Sequence, residues 1–147
     1  MSDRTRRPAV PRPWRGRLPA ATVAGVATVA QAVWASPVAR SAAEWGATPL
    51  VYLSLLCLVA LVSTRALLAL LPRRLGPAAQ AYAIVLWMLG YWLLLAYVDF
   101  SVRVAAWSTY DTSSILLHVL RASALPIAVC AGALLLVLPR VLERGGR

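Results

Sequence analysis

Apolar residues gather into four long runs, at residues 20–38, 49–71, 78–98 and 114–138, and nearly all charged residues fall between or outside them. Each run is close to the ~20 residues that a helix rising 1.5 Å per residue needs to cross roughly 30 Å of hydrocarbon. The pattern predicts an all-α polytopic membrane protein, with four transmembrane helices in two hairpins.

Lys and Arg near helix ends are retained in the cytoplasm, while acidic residues count for little. Arg4, Arg6, Arg7, Arg12, Arg15 and Arg17 precede the first run, and Arg73 and Arg74 link the second to the third. Arg140, Arg144 and Arg147 follow the fourth, whereas the first link holds Arg40 beside Glu44 and the third holds Asp99, Arg103 and Asp111. Both termini are therefore expected in the cytoplasm, in a multi-pass protein of a bacterial inner membrane. Residues 1–19, with Pro8, Pro11, Pro13 and Pro19, read as a disordered basic arm, and residues 139–147 as a short basic tail. A basic start, an Ala/Val run and Ser41-Ala42-Ala43 also resemble a cleavable signal. Pro37 and Arg40 crowd that cleavage position and the run is long for a signal core, so retention is expected.

With 61% hydrophobic and 14% charged residues in 147 positions, no soluble domain fits beside the four spans. The net charge of +10 is divided among helix ends, which argues against a nucleic-acid groove and for contact with anionic lipid headgroups. Cys57 and Cys130 lie in separate runs without metal or redox spacing and read as small buried residues, a bond between them being the minor alternative.

Within the first run, Ala20, Ala24, Thr28, Ala32 and Ser36 recur every four residues. A stripe of small side chains lets another helix approach closely in lipid, where packing drives association. Alanine richness alone is the competing explanation of the period. With Gln31, these residues are candidates for a partner interface. Arg65 reads as a snorkelling anchor. Tyr82, Trp87, Tyr91, Trp92 and Tyr97 read as interfacial belt and packing, with Trp87 and Tyr91 sharing a face. Asp99 and Arg103 stand at i,i+4 for a local ion bridge in the outer link, the Ser/Thr/Asp run that follows offers helix N-caps, and Pro126 should kink the last helix.

His118 is the sole histidine and lies one turn from Arg121 on the same face. The pair suits half of a bis-histidine haem site with a propionate or quinone contact, or, more simply, a polar patch near the outer interface. The five acids are scattered, so nucleophile, base and orienter cannot be assembled: the chain is not expected to be an enzyme or to hold a metal or cofactor. No carboxylate falls at mid-membrane in this reading, as a transporter acting alone would require.

Gln31 near the end of the first helix, Glu44-Trp45 before the second, Ala69-Leu-Leu-Pro72-Arg73-Arg74-Leu75 between the second and third, and Pro126 in the fourth occur in that order. Over about residues 22–142 this layout resembles the small four-helix subunit (DctQ-type) of tripartite ATP-independent periplasmic (TRAP) transporters. The resemblance implies a non-catalytic scaffold for a large multi-spanning transport subunit. That complex would take up organic acids, driven by sodium and delivered by a periplasmic solute-binding protein. It adds Glu44 and Trp45 to the partner-interface candidates, and Arg121 joins them as a candidate partner of an outer-loop carboxylate, Asp99 or Asp111. The alternative is a membrane anchor or accessory subunit of a respiratory haem or quinone complex, using His118 and Arg121.

Overall fold

At Thr48-Pro49 the chain carries two helix-start signals at once. The Thr48 hydroxyl accepts from the Val51 amide at 3.4 Å, and Pro49 occupies a first-turn position where its missing N–H costs nothing. A computed structural model describes residues 17–35, 38–72, 74–104 and 111–146. In them the elements are α1 (Arg17–Ala35), α2 (Val38–Glu44), α3 (Pro49–Leu70), α4 (Pro77–Val104) and α5 (Thr112–Gly146), with no strand among the described residues. Four helices, all but α2, are long and apolar enough to span a membrane. The basic arm up to residue 16 and Ser36 lie outside the described residues.

The boundaries differ from the expected ones in three places. The first span is described as a helix from Arg17, ahead of the expected start at Ala20, and the expected end at Val38 belongs instead to a short helix, α2. At the end of α2 the Ala47 amide bonds the Ala42 carbonyl (2.9 Å) and the Gly46 amide bonds that of Ala43 (3.0 Å). Gly46 has φ +62°, the left-handed conformation that this paired C-terminal cap demands and that glycine adopts without a Cβ clash. The third span does not stop at Val98. After Pro77, α4 meets no further proline, so nothing breaks the backbone ladder, and Asp99 becomes an interior residue of the helix instead of a loop residue.

The last helix runs past the predicted tail boundary. It contains both Pro126 and Pro139, each of which withholds one backbone donor, and continues to Gly146. The Arg140 guanidinium donates to the Leu136 carbonyl at 2.8 Å and helps hold that last stretch. Its start is capped at Asp111, whose carbonyl accepts from the Ile115 amide and whose carboxylate accepts from the Ser113 hydroxyl. The Ser113 hydroxyl, with the Ser113 and Thr112 amides, holds the Asp111 carboxyl below the ordinary aspartate value. Among the described residues of that run, Asp111 serves as the cap.

Packing joins two antiparallel pairs, α1 with α3 and α4 with α5, through a third interface between α1 and α5. Each helix contributes a narrow inward stripe. On α3 it is Tyr52, Leu56, Ala60, Thr64 and Leu68, one residue per turn. The larger core cluster includes Ala24, Leu68, Ile84, Met88, Trp92, Leu134 and Leu138; a smaller one of Ala32, Ala42, Tyr52 and Leu56 lies toward the end away from both termini. Near the middle, a Cβ added to Gly25 would stand 2.9 Å from Cys57 Sγ, so glycine is what lets α1 and α3 come this close. Cys57 and Cys130 are both free thiols.

Candidate functional site

The small-residue stripe of α1 does bring helices close, and those helices belong to the same chain. Ala20, Ala24 and Thr28 are fully buried, and Gln31 and Ala32 nearly so. These five therefore present no surface to a second chain; their expected docking role gives way to an internal one. The physical reason is that α1 sits between α3 and α5, so its small face is consumed by the intramolecular fold.

At the centre of that packing lies a polar contact that the periodicity did not reveal. Trp92 of α4 is fully buried, and its indole Nε1–H donates to Thr28 Oγ1 of α1 at 3.0 Å. The same hydroxyl donates to the Ala24 carbonyl at 3.0 Å, so both the hydroxyl and the indole are satisfied. Buried tryptophan needs such a partner, and in hydrocarbon no water can stand in. One turn earlier on α4, Thr64 Oγ1 reaches Met88 Sδ at 3.6 Å, a weak bond from α3 to α4, and the Tyr91 hydroxyl donates to the Leu56 carbonyl at 3.4 Å. Of the aromatics read as belt and packing, Trp92 is a core residue, while Trp87 and Tyr82 are exposed.

Above this layer, toward the end away from the termini, the four long helices border a partly open pocket of about 60 Å³ that reaches the surface beside the exposed Ala122. Gln31 of α1, Tyr52 of α3, Asp99 of α4 and Ser123 of α5 line it, with Ala122 and apolar walls that include Leu95 and Val119. Gln31 is 2% and Asp99 4% exposed. Gln31 stands four residues before the end of α1 and Ser123 eleven after the start of α5, or about 6 Å and 16 Å along their axes. The carboxyl group that the sequence assigned to an outer link thus lies buried inside the bundle, three residues from the Val102 end of the α4 span. Gln31 Oε1 is buried and accepts no hydrogen bond among the described residues.

The remaining expected residues lie on the surface. His118 and Arg121 are exposed, on the outer side of α5. The His118 ring leans on Phe100 of α4 with centroids 4.8 Å apart and planes at 34°. Neither lines the cavity, so the structure does not bring them into one site with Asp99. Glu44 and Trp45 are exposed at the end of α2. Among the described residues no three of His, Cys, Asp and Glu come together as a metal site would require.

No protein-family model, curated protein or solved structure matches this chain.

Proposed function

We propose that the chain is a non-catalytic small subunit of a membrane transporter, a fixed body against which a larger multi-spanning subunit is held. The observation that carries this reading is the Trp92–Thr28 bond within a core whose small-residue stripe is wholly used inside the chain. A bundle tied across its centre in this way is suited to stand still while a partner moves. Outward, α3 and α4 offer wide apolar faces with Leu50, Leu55, Leu58, Val62, Tyr82, Leu86 and Trp87 exposed. In lipid these serve equally as a surface for a partner's helices. Glu44 and Trp45 on α2 add a polar and aromatic foothold at the end away from the termini.

The layout of Gln31, Glu44-Trp45, the Leu71-Pro72-Arg73-Arg74 sequence and Pro126 supports the specific form of a TRAP-type transporter. In that form the chain lies in a bacterial inner membrane with both termini cytoplasmic, and the complex takes up organic acids brought by a periplasmic binding protein. The respiratory alternative has less support, because His118 is exposed and stacked on Phe100 instead of facing an enclosed site.

Deleting the chain in its native host is expected to abolish binding-protein-dependent, sodium-driven uptake of radiolabelled organic acids and to leave quinone-linked respiration intact. A plasmid copy should restore uptake. Unchanged uptake with impaired respiration would reverse the assignment.

A further inference from the structure

We propose that the cavity between Gln31, Tyr52, Asp99 and Ser123 binds a single alkali-metal cation. The starting point is Gln31 Oε1, which is buried and accepts no hydrogen bond among the described residues. An acceptor left this way is costly, and such atoms are normally met by an ordered molecule or ion. The adjoining space of about 60 Å³ has room for a cation with water beside it.

The lining chemistry favours a cation over water alone. Asp99 brings two carboxylate oxygens with about four lone-pair positions, so it can face the cavity whatever else it bonds. The Tyr52 and Ser123 hydroxyls can each turn a lone pair inward. The backbone adds one more acceptor. Pro126 has no N–H to give the carbonyl four residues earlier, and that carbonyl belongs to Ala122, which lines the cavity. A wall made of carboxylate, amide, hydroxyl and freed carbonyl oxygens is a hard-ligand set. Water can donate only two hydrogens to it, whereas a cation satisfies all its oxygens together. One carboxylate among neutral oxygens suits one positive charge, while dedicated calcium sites commonly draw on several carboxylates. The inference is independent of the transport reading, since it needs only the four helices and their oxygens.

The test uses the full chain in detergent micelles at constant ionic strength. Thermal unfolding is followed in NaCl, in KCl and in N-methyl-D-glucamine chloride, a cation too large for the cavity. Na⁺ or K⁺ should raise the unfolding temperature along a saturating curve, and N-methyl-D-glucamine should not. Asp99→Asn should need a roughly tenfold higher concentration for half of the effect, a loss of about 1.4 kcal/mol. The exposed Asp111→Asn should behave as wild type. Pro126→Ala restores a backbone donor to Ala122, so it should fold well yet respond several-fold more weakly. It serves if Asp99→Asn does not fold. Identical unfolding of the wild-type chain in all three salts would overturn the proposal and leave water as the occupant, as would an undiminished response in Asp99→Asn or Pro126→Ala.

Discussion

Replacing Trp92 by alanine is expected to destabilise the bundle by about 3–5 kcal/mol, the cost of emptying a large buried aromatic site. Trp92 heads the fully buried side chains by size and sits in the main core cluster, so little around it can collapse into the space. Trp92→Phe separates the two contributions. It keeps a six-membered ring, but it loses three ring atoms of the indole together with the Nε1–H that Thr28 accepts. Hydrogen bonds between membrane helices average about 0.6 kcal/mol and reach about 1.7, so this variant should lose roughly 1 kcal/mol from the bond plus a cavity cost smaller than that of Trp92→Ala. Denaturant unfolding of the purified protein in mixed micelles reads both. Wild-type stability in Trp92→Ala would remove Trp92 from the core, and equal losses in the two variants would assign the effect to the pyrrole part of the indole, with its hydrogen bond, and not to the bulk that Phe retains.

The second large effect concerns the small-residue face of α1. Leucine at Ala24 or Thr28 adds bulk where exposure is zero and should cost about 1–3 kcal/mol, more if the backbones must part. At Thr28 the change also strips Trp92 of its acceptor, so that variant should be the worse of the two. Leucine at Val26, which is 62% exposed, should stay within about 0.5 kcal/mol of wild type. The same unfolding measurement distinguishes them. Equal stability of all three would mean that α1 does not pack through this face.

Hydropathy carried most of the architecture. Four spans follow from run length alone, and the Thr48-Pro49 start and Asp111 cap follow from residue types with one physical use at helix ends. The every-fourth-residue stripe was legible as a close-packing surface, but its partner was not, because a stripe specifies proximity and leaves the neighbour's identity open. Asp99 was misplaced for a similar reason. An apolar run that ends at Val98 marks where hydrophobicity stops, while the helix itself stops only where the backbone is broken.

Trp92 was hidden among other aromatics, since its burial depends on Thr28, 64 residues away, and no local period encodes that distance. The cavity was illegible as a unit. It draws one polar residue from each of four helices, and only Gln31 had drawn notice as a polar residue within a span. His118 and Arg121 show the converse: their i,i+3 spacing correctly placed them on one face, and that face points outward. Spacing fixed the face but could not say which way the helix would turn it.

The central claim, that the chain holds a larger transport subunit and carries no redox group, is tested most directly by purifying the tagged full-length chain from native membranes. Quantitative mass spectrometry and a visible spectrum would be recorded on the same complex. The account predicts a fixed 1:1 ratio with one larger multi-spanning transport subunit, no Soret band, and an unchanged complex in His118→Ala. A chain recovered alone, or a stoichiometric haem band that disappears in His118→Ala, would contradict it.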